Sequence, residues 1–479
     1  MDKITKQKKI QHLYLRAGFG ESISEIKRSQ NKSISNLTEE LFQSSGAYNE
    51  LTLEGISDIY KNNSRAENFR DLSIREKKQF RKQSRENIKS LNINWIDKMV
   101  YDKAQLREKM TLFWHGHFAC RTKVGLFCQN QNNILRKHAL GKFGDLLMDI
   151  SKDPAMLQFL NNQQNKKSSP NENFAREVME LFTLGRGFYS EHDVKEAARA
   201  FTGWGFDKEG KFVFRNKQHD FDEKTFLGRT SNYTGEDIIH IILEERRTSE
   251  FITEKIYKYF VNEKINKEII DDLSKKFYES HYDIGNLMKI IFNSDWFYDK
   301  ENIGVKIKSP IELIIGLTRS FNIEFMNPMP LLALQKALGQ MLFNPPNVAG
   351  WAGGRNWIDS STLMQRLKMP GIIFQSSNLD FDYKDDQPEM GEEYIEVTKK
   401  QKKLYRQMKT KTDLSSYINE FSKFEGKELM EKLSEYLLQV ELKQDSKSII
   451  ADYADDSDKE NLIESLTLRI ISLPEYQMY

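Results

Sequence analysis

The chain has 479 residues, 39% of them hydrophobic and 11% aromatic, enough to fold around one large core or a few smaller ones. Charged residues make up 30% of it, yet the formal net charge is only +2. So balanced a surface gives no broad field for nucleic acid or an anionic membrane, and neither is expected as a partner.

The N-terminal "MDKITKQKKIQHLYLRAGFG" has lysines but no apolar run after them, and no later stretch approaches the roughly 18 apolar residues of a membrane span. The expectation is a cytoplasmic chain with no membrane span. Cys120 and Cys128 make neither a C-x-x-C pair nor a disulfide framework and read as buried thiols in a reducing compartment. The lysine- and arginine-rich stretch from Arg65 to Lys89 reads as a solvated helix face, with a phosphate-binding face as the alternative.

Next, "LREKMTLFWHGHF" places Leu106, Met110, Phe113, Trp114 and His117 on one face, which predicts an amphipathic helix. Asp153 and Pro154 suit the start of a helix through "DPAMLQFL". The stripe Phe174, Val178, Leu181 and Phe182 predicts another, and Ser190 with Asp193 forms a capping box ahead of the stripe Val194, Ala197, Ala198 and Phe201. In "GWGFDKEGKFVFR", residues 203–215, the polar turn Asp207-Lys208-Glu209-Gly210 lies between short aromatic runs and predicts a β-hairpin.

From Asn378 to Glu396 the chain is acidic and poor in aliphatics, as an exposed linker would be. Helical patterns resume after it, and Leu466, Leu468, Ile470 and Ile471 would expose an apolar surface if the tail were free. The expected fold is mainly α. A large multi-helix core (1–373) carries a small hairpin near 203–215, followed by an acidic linker (374–396) and a C-terminal helical segment (397–479) that packs back on the core.

Eight phrases carry a resemblance: "HLYLRAGFG", "REKMTLFWHGHFA", "QNNILRKHALGKFGDLL", "DPAMLQFLNN", "NENFAREVMELFTLG", "DVKEAARAFTGW", "KSPIELIIG" and "PPNVAGWAGGRNWI". In this order, and with the closing "SLPEYQ", the chain resembles over nearly its whole length the bacterial family known as domain of unknown function 1800. Val178, where leucine is usual, and Asp359 are conservative departures. The resemblance implies no particular reaction. Members are often exported and commonly encoded beside sulfatase-like or alkaline-phosphatase-like proteins, so it suggests a scaffold or binding subunit for such a partner. The expectation of a chain without a leader, read from its opening residues, departs from that pattern.

Two imidazoles in His115-Gly116-His117 raise the question of a metal. On a continuous helix, at about 100° per residue, they point some 200° apart and cannot share an ion. Only a break at Gly116 would align them, and further ligands would have to come from His12, Glu177, His219 or Asp220. No metal is expected. The helix instead makes His117 a hydrogen-bonded core residue and turns His115 toward a pocket or the surface.

Glu172, Arg176 and Glu180 have the spacing of an ion-pair ladder. Glu177 borders the apolar stripe, where partial burial suits a carboxyl to general acid–base work, unless it pairs with Arg199. Asn161, Asn162, Asn171 and Asn173 are helix caps or a polar loop converging on a ligand. Trp351 and Trp357 flank Arg355 and Asn356, an arrangement for a sugar ring or anionic polymer, or else a structural loop. There is no phosphate loop, no G-x-S-x-G elbow and no H-E-x-x-H helix.

The functional expectation is an enzyme for a polar or anionic substrate. Its catalytic candidates are His115, Arg176 and Glu177, and its ligand-binding candidates are His12, Arg16, Asn161, Asn162, Arg199, Trp351 and Arg355; no cofactor is indicated. An enzyme would bring them to one cavity, whereas a scaffold would spread them as caps and ion pairs.

Overall fold

The structure, a computed structural model, describes residues 4–56, 73–374 and 408–479. The segment expected to be an acidic linker lies outside these residues, apart from Phe374. The architecture is mainly α with small antiparallel hairpins. Among the described residues, no helix is long and apolar enough to cross a membrane.

The helices that carry the candidate residues and their partners are α1 (Lys6–Ala17), α2 (Ile74–Tyr101), α3 (Gln105–His117), α4 (Gly125–Lys137), α5 (Glu191–Ala200), α6 (Arg246–Phe260), α7 (Pro310–Ser320), α8 (Ser360–Phe374) and α9 (Lys459–Ile471). Local chemistry sets several of their starts. Ser73 and Glu76 cap α2 reciprocally, Ser190 and Asp193 cap α5, and Ser309 and Glu312 cap α7 with Pro310 in its first turn.

Helix α3 departs from the expected amphipathic pattern, because every residue from Gln105 to His115 is buried. It is a central helix, apolar or satisfied all round. Its charged residues find partners inside. Glu108 accepts from Arg136 Nε at 2.7 Å and from Trp95 Nε1 at 2.8 Å. Arg107 donates to the main-chain oxygens of Ser45 and Arg136, at 2.8 and 2.7 Å. Lys109 pairs with Glu312 of α7. A sequence pattern cannot separate a charged residue facing water from one facing a buried partner.

The hairpin near 203–215 forms as expected: β1 (Trp204–Phe206) runs antiparallel to β2 (Phe212–Phe214). Asp207 Oδ1 accepts from the amides of Glu209 and Lys211, both at 2.9 Å, and Gly210 turns the chain with φ of 77°. A second hairpin comes next, β3 (Lys224–Phe226) with β4 (Arg229–Ser231). The helix expected through 173–184 is α only over Asn173–Glu177 and widens to a π-helix over Val178–Thr183. Thr183 Oγ1 bonds the carbonyl of Val178 at 2.6 Å, and the Leu184 amide reaches back to Met179.

The C-terminal part is bound to the rest at several places. Strand β5 (Glu324–Phe325) pairs with β6 (Thr410–Lys411), and α9 packs on α8. Residues 306–308 lie antiparallel to 477–479, with Lys308 N donating to Gln477 O and Tyr479 N to Lys306 O, each at 2.8 Å. Leu466, Ile470 and Ile471 are buried, while Leu468 is half-buried.

Candidate functional site

The residues singled out in the sequence fall in separate places, most of them closed by local partners. Asn162 donates to the Phe201 carbonyl at 3.3 Å and accepts from Asn165, which itself binds the Ala198 carbonyl at 2.8 Å. Asn171 takes the Asn173 amide, and Asn173 donates to the Leu160 carbonyl. Asn161 is exposed in the left-handed region, at φ of 60°. The asparagines thus stitch one connection to the start of the β1–β2 hairpin.

Arg176 grips Glu191 with both terminal nitrogens at 2.7 Å and Glu172 at 3.1 Å. Glu180 stands apart from this ladder and binds Arg186 and Tyr189 instead. Arg199 pairs with Asp220 and Glu196, not with Glu177. Glu177 itself is half-buried beside Glu180, and both burial and that neighbouring charge raise its pKa. Arg355 is exposed, and Trp351 is half-buried.

Helix α3 runs unbroken through Gly116, so His115 and His117 stay on different sides. Their burial is the reverse of the expectation: His115 is 1% exposed, and His117 is the partly open one. His115 lies among Trp95, Phe343 and Trp351, at ring distances of 5.1, 5.4 and 5.6 Å. His117 Nε2 bonds the Phe182 carbonyl at 3.2 Å, in the π-helix. Burial lowers both pKa values to about 3, helped at His117 by the charge of Lys255. Among the described residues, no group of three or more His, Cys, Asp or Glu is placed to hold a metal ion.

His12 and Arg16 lead elsewhere. One turn apart on α1, both are fully buried. His12 packs on Phe297 with centroids 4.6 Å apart, and burial with the charge of Arg16 lowers its pKa. Arg16 Nη2 donates to the main-chain oxygens of Asn302 and Tyr479, at 2.9 and 2.8 Å, and its guanidinium lies over the Tyr479 ring.

Around this point the structure gathers four more buried cations, Lys109, Lys306, Lys308 and Arg366. The paired segments 306–308 and 477–479 supply the two lysines one residue apart on a common side, and α8 supplies Arg366. Arg366 donates to Gln477 Oε1 at 3.0 Å and to the Lys308 carbonyl at 2.9 Å. Among the described residues, Lys306 and Lys308 have only main-chain oxygens for their amines, those of Lys258 and Tyr476.

Among the described residues, one buried carboxylate side chain, Glu312, faces all five. Burial pushes Glu312 up, but Lys109, the Ser309 amide and the Tyr479 hydroxyl outweigh it and hold the group at about 2. Burial lowers Lys306 to about 8 and Lys308 to about 7, with neighbouring cations adding to the effect. Burial also lowers Arg16 and Arg366 to about 10, so both stay charged at neutral pH. Arg16 Nε and Nη1, Arg366 Nε and Gln477 Nε2 have no acceptor among the described residues. The cluster therefore holds more positive charge, and more hydrogen-bond donors, than its own residues satisfy.

A family model described as a protein of unknown function, DUF1800, matches residues 12–478. The chain belongs to the DUF1800 family. No curated protein and no solved structure is significantly similar to it. The matched stretch of this DUF1800 chain begins at His12 and ends one residue short of Tyr479, so it takes in nearly the whole cluster.

Sequence reasoning found Arg16 and missed its companions. Lys306 and Lys308 alternate with Ile307 ahead of the Ser309-Pro310 helix start, a spacing that turns both lysines to one side of an extended segment. Such a pattern usually means a solvated edge. Only the pairing with residues 477–479 buries it.

Proposed function

We propose that this chain is an anion-binding protein whose ligand site is the buried cluster of Arg16, Lys109, Lys306, Lys308 and Arg366. The observation that carries this is the imbalance, among the described residues, of five buried basic side chains against the one carboxylate side chain of Glu312, with four donors left without an acceptor. A buried cation costs several kcal/mol unless it is paired. An oxyanion supplies the missing charge and the missing acceptors together, and guanidinium groups are suited to it geometrically. Substrate of an enzyme and ligand of a binding protein are the same chemistry at this point: a small, oxygen-rich anion.

Calorimetric titration with inorganic phosphate and with sulfate tests it. The expected result is saturable binding that weakens as salt rises and falls at least tenfold in Arg366→Gln. Absence of binding of either ion to the wild-type protein would overturn the proposal.

The local closure of Asn162, Arg176 and Arg199 favours a second reading, a non-catalytic subunit for a sulfatase-like partner, because these side chains serve as caps and ion pairs. Co-elution with a purified sulfatase-like protein from the same organism would support this. Separate elution at micromolar concentrations would count against it.

A further inference from the structure

The Lys308 amine stands out within the cluster. It makes no ion pair among the described residues, unlike Lys109. Its partners are the Tyr476 carbonyl at 2.8 Å and the Tyr476 ring, whose centroid is 3.7 Å away. The side chain also lines a small cavity of about 40 Å³, bounded by Gln11, Glu21, Ser320, Tyr436 and Tyr476. A volume of that size admits a guest of about three heavy atoms.

From the cavity beside Lys308 and the cationic excess around it, we propose that the Lys308 amine takes up carbon dioxide to form a carbamate. The neutral amine nitrogen attacks the carbon of carbon dioxide and an N–C bond forms. One C=O π pair moves onto oxygen, and an N–H proton leaves to water. Amine plus carbon dioxide gives carbamate plus a proton, with no change of oxidation state.

Three features favour this chemistry. A lysine can attack only when unprotonated, and burial has already brought this amine near neutrality. The cavity admits carbon dioxide. The charge argument separates carbon dioxide from a small aldehyde. An imine remains cationic when protonated and adds to the excess, whereas a carbamate is an anion set among cations.

The charged groups facing Lys308 are Arg366, Lys109 and Glu312, with Glu21 lining the cavity and paired to Arg319. Arg366 already holds the main-chain carbonyl of Lys308, and its Nε has no acceptor among the described residues. The inference shares the cationic surroundings of the proposed anion site but not its ligand. A carbamate on Lys308 and a bound oxyanion compete for the same cations, so carbon dioxide uptake is read without phosphate and phosphate binding in carbon-dioxide-free buffer, and either can fail alone.

The test uses wild-type protein equilibrated with ¹³C-bicarbonate near pH 7.5, trapped with a trialkyloxonium salt and mapped by peptide mass spectrometry. The expected result is an alkylated, ¹³C-labelled carbamate localised to Lys308, absent after equilibration in carbon-dioxide-free buffer. A Lys308 that stays unlabelled overturns the proposal, as does label confined to the N-terminal amine, to Lys306 or to surface lysines. Carbon-13 spectra of wild type and Lys308→Arg provide a second reading, in which a carbamate resonance is present in the first and missing in the second. If Lys308→Arg does not fold, the wild-type peptide map decides alone.

Discussion

The main-chain N–H of Phe343 donates to Nε2 of His115 across 3.1 Å. A ring nitrogen that accepts cannot carry the proton, so the neutral imidazole is held with its hydrogen on Nδ1. Protonating the ring would break the bond to Phe343 and place a cation among Trp95, Phe343 and Trp351.

This gives a signed pH dependence. The folded pKa of about 3 lies below the ordinary value of 6.5, so between the two the unfolded chain binds the extra proton. The contribution of His115 is complete above about pH 6.5 and is lost as pH falls toward 3, at up to about 1.4 kcal/mol per pH unit. His115→Leu should reduce the slope of unfolding free energy against pH by about one proton between pH 4 and 6, measured by denaturant titration. A slope equal to that of wild type would show that the ring is not buried neutral.

Lys109 and Glu312 join α3 to α7 inside the cluster. Removing only the acid, as in Glu312→Gln, leaves Lys109 buried among other cations, and the expected loss is about 3–5 kcal/mol. The double variant Lys109→Met/Glu312→Leu removes both charges and should recover the part of that loss that comes from Lys109, while the part owed to Arg16, Lys306, Lys308 and Arg366 stays. Chemical denaturation of wild type and the two variants checks the comparison. A double variant no more stable than Glu312→Gln would mean that packing, not charge, dominates there.

The reach of each local signal decides how much of the fold and the site was legible in the sequence. Ser190 with Asp193, Asp153 with Pro154, and the Asp207–Gly210 turn act within a few residues, so the sequence displays them directly. Helix α3 misled because its pattern gives spacing but not surroundings: Arg107, Glu108 and Lys109 read as a wet face, yet each has a buried partner far along the chain. The cation cluster was hidden for the same reason. It forms only where Arg16, residues 306–308, Arg366 and residues 477–479 meet, and no local rule links positions more than 400 residues apart.

The last residues of the chain bear on that cluster. Removing residues 477–479 takes away one of two acceptors for Arg366, one of two for Arg16, and the Tyr479 hydroxyl that bonds Glu312 at 2.8 Å. Buried charges are then left unpaired, and a loss of about 3 kcal/mol or more is expected. Thermal melting of the truncated chain should show a midpoint several degrees lower. An unchanged midpoint would make these residues an independent appendage.

Two glycines at the His115 site should respond in opposite directions. Gly116 sits in α3 with nothing within 4 Å of where a Cβ would be. Alanine there restricts the unfolded chain and suits the helix, so Gly116→Ala should stabilise by about 0.5–1 kcal/mol. Gly350 has φ of 76°, and a Cβ on it would overlap the main-chain oxygen of Gly116. Gly350→Ala combines left-handed strain with a clash against a helix that cannot yield, and about 2 kcal/mol or more should be lost. The strained segment runs directly into Trp351, whose ring lies 5.6 Å from His115, so tryptophan emission should shift in Gly350→Ala and stay put in Gly116→Ala. Equal stabilities for the two variants would mean that the loop does not press on α3 at this point, and the burial of His115 would then need another cause.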